Sequence, residues 1–173
     1  GAVTAAADGE GAIIVNNDRG TAADVTFSST IGTSSKAIKS LTQTDGDIKI
    51  SGKAFIKTIT AAAGDNFNFD GNVTAATALT LNTGTATFAA NITASTLFNF
   101  AAAGIVTIDG AITQTITGNL TTNASGNGAI TVSNTAGTVT FASKLGVVGT
   151  EVGTVTLNAS TTTVFSDTAD VGA

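Results

Sequence analysis

The side chains able to do chemistry in this sequence are carboxylates, lysines and hydroxyls. A chain of 173 residues without His, Cys or Tyr lacks the usual general bases and thiol nucleophiles. Two carboxylates recur in one setting: Asp70-Gly71 follows NFNF, and Asp109-Gly110 follows IVTI. Carboxyl pairs about 5–9.5 Å apart cleave glycosidic bonds. Asp-Gly is also ordinary turn chemistry, and no basic residue stands near either in sequence, so no catalytic residue is expected. The other use for such carboxylates is a hard cation. TDGD supplies Asp45 and Asp47, and GDNFNFD supplies Asp65 and Asp70. Calcium takes six to eight oxygens, and this spacing fits neither the EF-hand loop nor the nonapeptide Gly-Asp repeat. These four are weak calcium candidates, and no resident cofactor is expected.

Charge narrows the partners. Charged residues make up only 11% of the chain and the net charge is −5, against about 25% charged residues in ordinary soluble domains. Lys36, Lys39, Lys49, Lys53 and Lys57 cluster early, and from Thr58 to Ser143 there is no Lys or Arg. Nucleic-acid binding needs cations against phosphates and is not expected. The lysine cluster reads as protection of exposed strand edges, with a small basic face as the alternative. No run of about 18 apolar residues exists, so no membrane span is expected. An apolar content of 42% argues against disorder. The start at Gly1, without Met or signal peptide, reads as a processed or excised product.

Those residues sit in a repeating frame. A bulky residue closes an alternating strand at Phe27, Ile50, Phe69, Phe88, Ile108, Phe141 and Phe165. The numbers of successive core anchors differ by 23, 19, 19, 20, 33 and 24. The widest step holds residues 114–129, read as a loop insertion or a short extra rung near Leu120. Around each anchor stand further short alternating runs, separated by small-residue turns. Runs of three to five residues at period two are half-buried strands. A unit of about 20 residues cannot bury its apolar face alone, but stacked units can, which is the logic of a solenoid. The expected fold is all-β: one parallel β-solenoid domain over 1–173, with rungs of about 19–24 residues. Residues 1–11 are an N-terminal arm or cap. A β-sandwich or jelly roll is the competitor, but neither needs self-similarity at this period.

Two stacked arrays follow from the same register. Asn72 and Asn91 share a slot three positions after successive anchors and should form an Asn ladder. Thr85/Thr87 and Thr138/Thr140 align as Thr-x-Thr pairs. Asn68 and Lys49 interrupt the slot, so a flat ice-binding array is not expected.

The segments DVTFSSTIGT, GDNFNFDGNVTAATALTL, GTATFAANITA and GTVTFASKLGVV resemble the β-strand repeats of very large bacterial surface proteins. These include filamentous-haemagglutinin-like adhesins, autotransporter passengers and giant secreted adhesins. The resemblance covers roughly Ile13 to Phe165. It implies a right-handed parallel β-helix, secretion to the cell surface, and a non-enzymatic role in adhesion, an S-layer or a filament. This chain is much shorter than such proteins. The implied partners are further repeats or other copies of the chain, together with a host surface or glycan. A carbohydrate-active or carbohydrate-binding β-helix is the alternative. A second is a pilus subunit completed by a donor strand, which would send its N-terminal arm out of its own fold. Neither end carries a convincing polar cap, so self-association into a fibre is expected.

Overall fold

A computed structural model describes residues 1–17, 25–61, 65–82, 84–94, 97–158 and 161–172. The chain winds as a parallel β-solenoid of about six turns. One sheet holds seven strands: β2 (Val25–Phe27), β4 (Ile48–Ile50), β6 (Asn66–Phe69), β8 (Thr85–Phe88), β11 (Ile105–Ile108), β14 (Asn127–Val132) and β16 (Val152–Leu157). They stack in that chain order. The second sheet runs β1 (Glu10–Asn16), β3 (Ile38–Asp45), β5 (Ala54–Ala61), β7 (Val73–Leu81), β9 (Ile92–Ala94), β12 (Gln114–Thr117), β15 (Thr138–Phe141) and β17 (Thr162–Phe165). Two further strands branch from it. The first half of β7 pairs with β9, whereas its second half pairs with β10 (Leu97–Phe100), which pairs in turn with β13 (Leu120–Thr122). A rung therefore contributes up to three strand segments, and all of these strands pair in parallel.

Each segment puts alternate side chains inside. In the seven-stranded sheet one inward column reads Phe27, Ile50, Phe69, Phe88, Ile108, Val132, Leu157, one residue per rung. The rings of Phe67 and Phe69 also stack within β6, at 5.0 Å. A second column reads Val73, Ile92, Ile116, Phe141, Phe165. Full burial of one such side chain is worth about 1.5–3 kcal/mol, so the columns hold the rungs together.

The anchors after Ile108 are thus corrected. Val132, not Phe141, continues the column of Phe69, Phe88 and Ile108, while Phe141 and Phe165 stack at 5.2 Å on the other sheet. TVTF and TATF are near-copies, but period-two alternation suits every face of the coil and does not say which face a strand joins. Residues 114–129 are neither a loop nor an extra rung. They hold β12 and β13, both in ladder register, and the start of β14. Residues 1–11 do not leave the fold as an arm. Val3 bridges to Ile31, and Glu10 pairs with Ile38.

Corners close where a side chain would not fit. Gly84 has φ +92°, and a Cβ there would lie 2.3 Å from the Asp65 carbonyl oxygen of the rung below. Polar side chains seal other corners from within. The buried Gln114 donates through Nε2 to the carbonyls of Phe88 (3.0 Å) and Ala90 (3.1 Å). Buried Asn134 accepts from Gly110 N–H at 2.7 Å and donates to Ile112 O at 2.9 Å.

Candidate functional site

The two Asp-Gly carboxylates stand two rungs apart, as their spacing from the anchors predicts. The backbones of Asp70, Ala89 and Asp109 donate to Ile50, Phe69 and Phe88 in turn, so Ala89 occupies the rung between the two acids. Asp70 instead meets Lys49, with Nζ 3.3 Å from Oδ2, in an exposed ion pair. The lysine belongs to the preceding rung, remote along the chain and adjacent in space, which is why sequence proximity missed it.

The calcium candidates do not gather as a set of four, although Asp47 and Asp65 meet at one corner. Asp47 Oδ1 accepts the Asn66 N–H at 2.9 Å, and Asp65 Oδ2 accepts the Gly46 N–H at 2.9 Å. These carboxylates cap backbone groups of adjacent rungs. Asp70 lies beyond the other end of β6, and Asp45 closes β3 on the other sheet. Among the described residues no three acidic side chains gather closely enough to hold a metal ion.

The corner asparagines do stack. Asn72 Oδ1 accepts the Asn91 N–H at 3.3 Å, and Asn91 Oδ1 accepts the Thr115 N–H at 2.8 Å. The threonine register differs from the sequence expectation. Thr138 and Thr140 belong to the other sheet, and Thr87, Thr107, Thr131 and Thr156 form the outward row. Its neighbour row contains Ile105 and Ala129, so no regular two-row Thr array results.

Three of the five clustered lysines do not guard sheet edges. Lys39, Lys49 and Lys57 sit on β3, β4 and β5, each with a strand on both sides. Nor do they make a purely basic face, because Lys49 and Lys57 each meet an aspartate.

Lys57 leads to a feature the sequence reading overlooked. Val3, Ile31 and Ala54 stack, as do Glu10, Ile38 and Ile56. From one position to the other the first two rungs advance by seven in residue number, and the third by two. Each of the first two rungs therefore carries an insertion of five residues. The second insertion closes on itself through reciprocal bonds between Thr33 and Lys36. The first stacks on it, with Gly9 N–H donating to Ala37 O and Ala37 N–H donating to Asp8 Oδ1. The step down to the third rung exposes the outward side chain of Phe55. Lys57 reaches from this floor to Asp8, at 2.7 Å. The resulting open cleft has a volume of about 370 Å³. The Lys57 hydrogen bond, and then that from Ala37 N–H, hold the Asp8 carboxyl below its ordinary pKa. A legible signal existed: the wide first step, from Phe27 to Ile50, marks one insertion, and Phe55 is a large apolar residue in an outward slot.

The second candidate surface is the C-terminal end of the coil. Leu157 continues the column of Val132 and is 52% exposed, against 0% for Val132. Phe165 continues the column of Phe141 and is 37% exposed, against 1%. Val164 and Val148 are exposed as well.

No family model, no curated protein and no solved structure matches the chain.

Proposed function

We propose that this chain is a non-enzymatic structural segment of an extracellular bacterial surface protein or fibre, extended end to end by the first rung of another copy. The observation that carries the reading is the last rung. Its inward columns end on Leu157 and Phe165, whose equivalents one rung earlier are fully covered. An apolar rung face is covered in the interior of a solenoid by the next rung.

A second copy suits that role because both sheets run the full length of the coil. β1 and β2 are the terminal strands at one end, and β17 and β16 at the other. Val171 already pairs with Val152 at the start of β16, so a copy placed head to tail would extend β17 and the remaining length of β16, with parallel strands at the same spacing. Such a contact need not close and grows into a filament. Charge opposes it only weakly. The first rung, Gly1 to Phe27, holds Asp8, Glu10, Asp18 and Asp24 against Arg19, and the last rung carries Glu151, Asp167 and Asp170. Both ends are acidic, but surface charges are screened beyond about 8–10 Å at physiological salt, and the apolar columns drive the contact.

Electron microscopy of the purified chain tests the proposal. Rods several times longer than the roughly 35 Å expected of seven or eight stacked strands support it. Uniform particles of single-chain length at every concentration refute it.

A further inference from the structure

We infer that the cleft over Phe55 is a saccharide site for the pyranose ring of a neutral glycan. The inference is independent of end-to-end extension, since it concerns the outward side of the first three rungs. The open cleft, about 370 Å³, lies at the small end of the range for small-molecule sites, about 300–1,000 Å³. It is large enough for a sugar ring and too small for a folded partner.

The chemistry of the walls selects the ligand class. The floor is an aromatic ring, Phe55, beside the methyl of Ala37. Thr33, Ser34 and Thr74 add hydroxyls around the cleft. Among the described residues the charges lining it are Asp8 and Lys57, and they neutralise one another at 2.7 Å. An anionic ligand would have to compete with Asp8 for Lys57, and a cationic one with Lys57 for Asp8. A neutral ligand leaves the pair intact. It can still use the pair, because an ammonium has three donors and a carboxylate about four acceptor sites. Asp8 spends one acceptor on Ala37 N–H and one on Lys57. A pyranose matches this pattern: one C–H face lies against Phe55, and its neighbouring hydroxyls meet one acceptor and one donor.

The site is also built rather than incidental. Two successive insertions of equal length stack on each other and hold Asp8 by a backbone bond. The third rung omits the insertion where Phe55 emerges.

The test is an NMR titration of the full chain, following the backbone amides of residues 33–37 and 55–57. Maltose, cellobiose, lactose and N-acetylglucosamine serve as neutral probes, with glucuronate and glucosamine as charged ones. At least one neutral probe should shift those amides with a dissociation constant on the order of 1 mM. Phe55→Ala should abolish the shifts, Phe55→Trp should retain them, and Asp8→Asn should weaken binding several-fold. Phe55 is only half-buried, so its variants should keep the wild-type spectrum elsewhere. No shift from any neutral probe overturns the inference. So does binding that survives Phe55→Ala, or tighter binding of a charged probe than of every neutral one.

Discussion

The rings of Phe69 and Phe88 lie 4.9 Å apart with their planes 1° from parallel. They come from successive rungs and pair directly between β6 and β8. The ring separation matches the strand spacing of about 4.7–4.9 Å, so the stack is inherited from the backbone ladder. Identical residues in one column of a parallel solenoid have little choice but to lie face over face.

That column sets the first expectation. Phe88→Ala leaves a void between Phe69 and Ile108 and should cost about 3–5 kcal/mol in urea unfolding. Phe165→Ala should cost clearly less, because its ring is only partly covered. Equal losses would mean that the two positions are packed alike, contrary to the register described above.

Gly84→Ala should destabilise by at least about 1–3 kcal/mol, the cost of a non-glycine residue at positive φ. The approach of 2.3 Å to Asp65 O adds to it, since the adjacent corner must move. Gly126, also at positive φ but with open space around its Cβ position, separates the two terms: Gly126→Ala should be the milder variant. Thermal unfolding of both variants checks the order.

Acid should loosen the first insertion. The Asp8 carboxyl is held below its ordinary pKa by Lys57 and Ala37, so its charged form is favoured by folding. A group with a depressed folded-state pKa stabilises above its unfolded value and loses that contribution as pH falls through the folded one. Wild type and Asp8→Asn should therefore differ at neutral pH. Their melting temperatures should converge below the ordinary carboxylate value of about 3.9. A constant difference across that window contradicts the assignment.

The solenoid itself was readable from the sequence, and the split of its rungs among faces was not. Between Ile50 and Ile108 the anchors fall at nearly even steps, and there the register was right. Beyond Ile108 the strands ending on Phe141 and Phe165 belong to a different face. Alternation reports inside against outside, and it is silent on which face a strand joins. The Asn72–Asn91 stack was legible because its slot is counted from a correct anchor. The Asp8–Lys57 pair was not, because its partners lie far apart along the chain and meet only when two insertions bring Asp8 beside the third rung.

Chymotrypsin should enter the native chain at Leu157 and Phe165, where the columns end exposed, before any of the buried phenylalanines. Mass spectrometry of early products identifies the cut. First cleavage at Phe69 or Phe88 would contradict a packed interior. If copies stack on this end, raising the protein concentration should slow the terminal cut.

Sedimentation velocity over a wide concentration series tests end-to-end extension most directly, comparing wild type with the double variant Leu157→Lys, Phe165→Lys. Both substituted side chains lie on the exposed last rung, so the rest of the solenoid should stay folded, which circular dichroism verifies. The wild-type chain should show a sedimentation coefficient that rises with concentration, and the charged variant should remain a monomer throughout. A wild-type chain that stays monomeric across the series, or a variant that associates as strongly as wild type, contradicts the stacking of copies through this rung.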